Sequence, residues 1–338
     1  MVLSIIVPVF NTQEYLERCL SSIVSNREED YEVILINDGS TDNSKEICEM
    51  FVNRYPQRFR LYNKQNEGLS SARNYAIKQG INGIYMLFLD SDDYLEEGFL
   101  DVICKRLSMN DNIDIYEYGY IIHHIGKKNK IVIPSYQLEE KSCVNGKQYL
   151  KAVLKEKETY EWYPWKYIIK RDYFDGTGLL FAEGKKYEDV LLIPKLILQG
   201  ERIGTFSDIG YHYMLGRPGA ITGTFRLETE IDKLYAAKHN IEFFDNEKDE
   251  KLRRLAQDNF SKLYYSALTF LYVEKNRDQR SLFKEELLQK KDIINCTLSG
   301  QQTVLKWIIK VFGIQVCAYL LYIRRLLKIW IAKKHCFL

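Results

Sequence analysis

Tyr31-Glu32-Val33-Ile34-Leu35-Ile36-Asn37-Asp38-Gly39-Ser40-Thr41-Asp42 decides the fold class. Its first half is an apolar, β-branched run of the kind that forms a buried strand. Its second half is a polar turn with the Ser, Thr and Asp chemistry that opens helices, and the spacing predicts a helix from Ser40 or Thr41 to about Arg54. The unit recurs on both sides. Val2–Val9 reads as a strand, and Thr12 caps a helix to about Val24 with Tyr15, Leu16, Cys19, Leu20 and Ile23 on one face. Phe59–Tyr62 reads as a third strand, Leu69–Gln79 as a helix ended by Gly80, and Ile84–Leu89 as a fourth strand. Alternating strands and helices build an α/β domain, a Rossmann-like, mostly parallel sheet with helices on both faces. Ligands of such sheets bind beyond the carboxyl ends of the strands. Here those ends run into Asn11, into Asn37–Asp42 and into Asp90-Ser91-Asp92-Asp93.

The signal weakens after about residue 112. Ile113–Ile122 and Lys130–Ile133 read as a hairpin, Asn145–Lys155 as a helix, and Gly200–Tyr213 as β-rich. From Glu228 to Leu288 long amphipathic helical patterns dominate. The expected organisation is an α/β domain that carries the ligand site over 1–225 and a helical region over 226–338 that ends in a basic amphipathic tail at about 304–334.

Length and composition bound the rest. The chain's 338 residues, 46% hydrophobic and 13% aromatic, are ample for a packed core and exclude disorder. A formal net charge of +2 argues against a nucleic-acid partner. Seven scattered cysteines with no C-x-x-C argue against a disulfide framework or a zinc cluster and for reduced thiols in a cytosolic setting. The first residues lack the basic and small-residue features of a secretory signal. The near-neutral total hides an asymmetry. From Ile293 to Leu338 there are seven Lys and Arg and no Asp or Glu, which leaves the rest of the chain at −5. In that tail the longest uncharged apolar run, Val311–Ile323, is 13 residues, short of the roughly 20 that a spanning helix needs. On an unbroken helix Lys306, Lys310, Arg324 and Lys328 would share one stripe, largely apart from Trp307, Phe312, Leu320, Leu327 and Trp330. That pattern fits a helix lying on an anionic membrane surface or packing on protein, in the body or in a second copy of the chain. Gly313 is the residue that would break the stripe.

Asp90-Ser91-Asp92 has the D-x-D spacing that lets two carboxylates share a hard cation, Mn²⁺ or Mg²⁺, whose shell substrate phosphates complete. With this motif the resemblance becomes plain. The chain resembles glycosyltransferase family 2, of GT-A fold, in bacterial capsule and exopolysaccharide branches. Four segments carry it, in the family's order: Ser4–Asn11, Ile36–Asp42, Asn66–Asn74 and Phe88–Asp93. Trp165-Lys166 and Tyr187-Glu188-Asp189 extend the match more loosely to about Thr222. The resemblance implies a metal-dependent, inverting hexosyl transfer from a nucleotide-diphosphate sugar, by family habit a UDP-sugar, to a hydroxyl of a glycan or lipid-linked acceptor. It places Pro8, Phe10, Asn11 and Asp38 around the uracil and ribose, and Arg73 near the diphosphate or donor sugar. Asp90 and Asp92 would handle the metal and the donor's ribose and diphosphate. An attacking hydroxyl must lose its proton, so a positioned base is required; the family assigns it to the last residue of the E-D pair, here Asp189, with Glu188 beside it. Trp165, Lys166, His212 and Arg217 are further candidates for acceptor or diphosphate contact. Two competing readings are a nucleotidyltransferase, which lacks a Gly-rich activation loop near the N-terminus, and a non-catalytic nucleotide-sugar binder that keeps the fold. The expected location is cytoplasmic, peripheral at the inner face of the cell membrane.

Overall fold

Strands β1 (Leu3–Val9) and β2 (Tyr31–Asp38) are buried along their whole length, as strands covered on both faces must be. The computed structural model that shows this describes every residue except 27–29, 110–111, 125–127, 140–141, 157–159, 217–225, 299 and 336–338, with only the backbone of 331–335. Helix α1 (Gln13–Val24) follows β1, and α2 (Ser44–Arg54), β3 (Phe59–Lys64), α3 (Leu69–Lys78) and β4 (Tyr85–Phe88) complete the repeat read from the sequence. These four strands are all parallel and stand in the order β3-β2-β1-β4. The chain steps from β1 outward to β3 and returns on the other side to β4. Such a reversal opens a crevice at the carboxyl ends of β1 and β4.

One face of the block is a continuous core in which Leu3, Ile5, Val7 and Val9 pack with Leu16, Leu20 and Ile23 of α1 and Phe51 of α2. Burying each such side chain is worth about 1.5–3 kcal/mol. On the other face α3 lies close against β1 and β2 through its small buried residues Ala72 and Ala76.

Helix α2 starts at Ser44, later than Ser40 or Thr41, because residues 40–44 are engaged with the turn after β1. Thr41 N donates to Asn11 Oδ1 at 2.8 Å, Asn43 N to Gln13 Oε1 at 2.9 Å, and Thr12 N to Ser44 Oγ at 2.9 Å. The Thr12 side chain is not a cap either; its hydroxyl donates to Ser91 Oγ at 3.0 Å.

Beyond β4 the sheet turns mixed. The elements are β5 (Tyr94–Leu95), α4 (Phe99–Met109), β6 (Ile115–His124), β7 (Lys130–Val132), α5 (Gly146–Glu156), β8 (Tyr167–Lys170), α6 (Arg171–Thr177), α7 (Glu188–Gln199) and β9 (Ile203–Leu215). The β6–β7 hairpin is antiparallel, as its sequence predicts. Strand β8 lies antiparallel between β4 and β6, β9 runs parallel to β6, and β5 pairs antiparallel with β9. The sheet is thus parallel in its first four strands and mixed in the rest.

The chain divides into two compact units, Met1–Ala152 with Glu161–Thr224, and Val153–Tyr160 with Phe225–Leu338. The second is helical: α8 (Leu227–Asp245), α9 (Glu250–Leu268), α10 (Arg277–Gln289) and α11 (Gln302–His335). Its core gathers Leu234, Phe244, Leu252, Phe260, Tyr264, Phe283 and Leu287, all 0–1% exposed. Asp249 caps α9 by accepting from Leu252 N at 3.0 Å.

Helix α11 is not one rod. Gly313, at φ 82° and ψ 170°, leaves helical geometry, and the two arms fold back on each other. Arg324 donates to Gln301 Oε1 at 3.4 Å; on a straight helix those residues would stand about 34 Å apart. Gln302–Trp330 has the length and the mean hydropathy, 1.7, of a membrane span, but it is bent into a hairpin. The single basic stripe expected of an unbroken helix is therefore split, with Lys306 and Lys310 on one arm and Arg324 and Lys328 on the other.

Candidate active site

The turns after β1, β2 and β4 meet at the crevice. Phe10 stands 44% exposed beyond the buried Pro8, and Asn11 takes a left-handed backbone, φ 51°. A non-glycine residue in that region marks a constrained turn, and its cause is visible here. The conformation aims Asn11 Oδ1 at Thr41 N and locks the first two turns together.

Asp38 is buried, and both of its oxygens are engaged. Oδ1 accepts from Lys64 Nζ at 2.8 Å and Glu67 N at 3.1 Å, and Oδ2 from Gly68 N at 2.8 Å. Its carboxylate braces the turn from β3 into α3 rather than standing open to a ligand. Lys64, which no sequence motif singled out, completes the brace and spans Asp38 and Glu67. Gly39 is required beside it, because at φ +71° an added Cβ would lie 2.8 Å from Asn66 N.

Arg73 departs most from expectation. It is 2% exposed, on α3, and it bridges the two acidic motifs. Its guanidinium donates to Asp90 Oδ1 at 2.8 Å and to Glu188 Oε1 at 3.0 Å, beside the paired rings of Phe88 and Phe181. Burial opposes its charge, but Asp90 and Glu188 outweigh that and hold it above its ordinary value. The residue expected near the donor thus joins the D-x-D turn to the start of α7.

There the chain turns sharply, with Tyr187 left-handed at φ 61°, so that Glu188 and Asp189 form the first turn of α7. Asp189 is pushed up to about 7, first by burial and then by the Glu188 charge, against the lowering pull of Val190 N and Arg73. A carboxyl poised there is matched to proton abstraction near neutral pH.

The D-x-D turn itself is latched from β9. Tyr211 donates to Asp93 Oδ2 at 2.7 Å and accepts from Asp90 N at 3.2 Å, while Met214 N donates to Asp93 Oδ1 at 2.7 Å. Burial, then Asp92 and Asp90, push the Asp93 carboxyl well above its ordinary range. Arg18 donates to the Asp92 carbonyl at 3.3 Å and stacks over Tyr94. Asp90 and Asp92 stay partly exposed. Among the described residues no set of three or more His, Cys, Asp or Glu could hold a metal. Two carboxylates fit Mn²⁺ or Mg²⁺ only as a shared site, with phosphate and water supplying the remaining oxygens, which is how those ions are commonly bound.

Three candidates land elsewhere. Lys166 is fully buried and pairs with Glu117 Oε1 at 3.1 Å, and Tyr149 also donates to Glu117. It is a core cation and offers nothing to a phosphate. Trp165, 2% exposed, is stacked between Tyr211 and Tyr163 at centroid distances of 4.3 and 5.0 Å, so no face is open to a sugar. His212 has both ring nitrogens engaged, with His123 at 2.8 Å and Glu96 at 2.7 Å, and it stacks on Tyr94. The reach of a buried side chain is set by its tertiary neighbours, which a local motif does not reveal. Arg217 lies outside the described residues.

An acidic turn at the switch point of the sheet and an acidic pair opening a later helix are the plan of a GT-A glycosyltransferase. The same fold is seen in residues 1–349 of TarS from S. aureus, solved in complex with UDP-GlcNAc, with a TM-score of 0.70 at 18% identity over 95% of this chain and 90% of that one. The chain belongs to Glycosyl transferase family 2, whose family model matches residues 4–172. It is 30% identical to the glycosyltransferase EpsJ of Bacillus subtilis, over 70% of this chain and 68% of that protein. It is also 30% identical to the minor teichoic acid biosynthesis protein GgaB of Bacillus subtilis, over 64% of this chain but only 23% of that larger protein.

Proposed function

We propose that this glycosyltransferase is metal-dependent and inverting, and that it moves a sugar from a nucleotide-diphosphate donor, a UDP-sugar, to a hydroxyl of a lipid-linked glycan in bacterial surface-polymer synthesis. The observation that carries the reading is the network Asp90–Arg73–Glu188 with Asp189 pushed up to about 7 beside it. On this reading the network holds the base and the cation-handling turn on one frame. Phe10 is the exposed aromatic face for the base of the nucleotide. Asn11 and Asp38 hold the turns that wall the pocket, and Pro8 supports it from below. Asp90 and Asp92 would hold the divalent ion, which when bound offsets the charge of the leaving diphosphate.

Asp189 takes the proton of the acceptor hydroxyl as its oxygen attacks the anomeric carbon from the face opposite the diphosphate. The bond from that carbon to the diphosphate oxygen breaks, the electron pair leaves with the diphosphate, and the configuration inverts. Glu188, tied to Arg73, keeps the second carboxylate of the pair out of the reaction and raises its neighbour's basicity. A lipid-linked acceptor would put the enzyme at the cytoplasmic face of the membrane.

The test is donor turnover across a panel of nucleotide sugars with Mn²⁺ or Mg²⁺. Asp92→Ala is expected to lose metal-dependent donor binding. Asp189→Asn is expected to bind donor normally and lose turnover. Undiminished turnover in Asp189→Asn would remove the base from the scheme.

A further inference from the structure

The hairpin of α11 has two faces with opposite fates. Ile309, Ile314, Cys317 and Ala318 are 0–4% exposed and pack into the helical unit. The second arm is fixed there as well: the Arg325 guanidinium lies 4.3 Å from the Phe270 ring centroid, and Tyr319 and Tyr322 meet the Tyr272 ring. At about 100° per residue, Val316, Leu320, Ile323, Leu327 and Trp330 form a stripe roughly opposite the buried one. All five are exposed, between 36% and 56%. On the first arm Trp307, Val311 and Phe312 are exposed by 54–58%. Such a contiguous apolar face on a folded unit marks an interaction surface.

Charge decides what covers it. Seven bases and no acid lie between Ile293 and Leu338. Lys306 is spent on the Asn295 and Thr297 carbonyls, while Lys310 and Lys328 are exposed. A second copy docked by a two-fold axis would set this patch against itself, bases against bases, with no carboxylate in the segment to offset them. A spanning pose would need the arms to straighten through Gly313 and to release the contacts with Phe270 and Tyr272. Neither arm alone offers a long enough uncharged run.

We propose that the α11 hairpin docks flat into the interface of an anionic lipid bilayer, with Trp307, Phe312, Leu320 and Leu327 at the acyl boundary and Lys310 and Lys328 among anionic headgroups. This deepens the reading of a membrane-bound acceptor and rests on it for its purpose, but vesicle binding does not depend on catalysis.

The experiment is flotation of the full chain with vesicles of phosphatidylcholine alone and with about 30% phosphatidylglycerol, a fraction chosen to mimic an anionic leaflet. Binding is expected only to the anionic vesicles, reversed by high salt, with a blue shift in emission from Trp307 and Trp330. Lys310→Gln and Lys328→Gln should each weaken it about five-fold. Trp307→Ser with Leu320→Ser should abolish it while donor hydrolysis in solution stays unchanged. Equal binding to neutral vesicles, binding that survives an alkaline wash as a spanning helix would, or no binding with a concentration-dependent doubling of mass by light scattering would each overturn the proposal. Asp189→Asn run alongside separates the two claims. If it floats as wild type does and neither turns over donor, the transferase scheme fails and the docking stands.

Discussion

Both units bury ion pairs, Lys233 with Glu230 and Lys262 with Asp258 in the helical unit, but they differ in what they leave outside. In the sheet unit Arg73 sits among Asp90 and Glu188 and Lys166 with Glu117, both buried cations, while Lys64 is half-buried against Asp38. The helical unit leaves apolar side chains outward, along both arms of α11. Buried ion pairs are poor sources of net stability, since desolvation offsets most of their attraction. Tryptophans left more than half exposed contribute only part of their possible burial. Each unit thus departs from the usual inside–outside rule, and the departures mark where chemistry and association are expected.

The largest expected effect tests the inward charges. Asp189→Asn should lower turnover by about 10²–10⁴-fold, the usual worth of a positioned base, with the fold intact. Next comes Arg73→Met, which leaves two carboxylates without their cation. It should cost about 3 kcal/mol in denaturant unfolding, at the low end for breaking a buried pair because Asp90 is a quarter exposed. It should also move the acid limb of the pH–rate profile upward, since Arg73 is among the groups that lower the Asp189 carboxyl.

The pH dependence follows from the same group. With Asp189 as the proposed base, turnover should rise with pH and level off above about 7. Stability runs the other way. A carboxyl lifted from 3.8 to about 7 on folding favours the folded state below 3.8, and that contribution is lost as pH rises through 7. The stability of Asp189→Asn relative to wild type should therefore climb between pH 4 and 7 and stay flat above. A flat difference throughout would mean that Asp189 is not raised.

The smaller effects belong to the helical unit. Asp249→Ala removes a helix cap and should cost about 1 kcal/mol without touching turnover. Trp307→Ser should change unfolding by less than about 0.5 kcal/mol, although it deletes an indole. A larger loss would mean that the outer face of the hairpin is already covered, and the contrast between the units would weaken.

The sequence made the first hundred residues legible because each strand there is a continuous apolar run ending in a polar turn. Strands β5 and β8, of two and four residues, carry too little pattern to be read and are made strands by their partners. The acidic motifs were legible for a similar reason, since Asp90, Asp92, Glu188 and Asp189 sit at element ends. What joins them was not. Arg73 lies 17 residues from Asp90 and 115 from Glu188, so their meeting is a property of the fold alone. Lys64 and Tyr211 escaped for the same reason. Aromatic and basic residues in a run such as Tyr160–Lys166 look alike whether they face a sugar or a core, and here Trp165 and Lys166 face the core.

The Tyr211 hydroxyl touches both Asp90 and Asp93, and its ring lies flat on the Trp165 indole, at 4.3 Å and 7°. The acidic turn is thereby wired to a chromophore. A ligand that shifts the turn is expected to disturb that stack, and a change in tryptophan emission on donor binding is the label-free measurement that checks it.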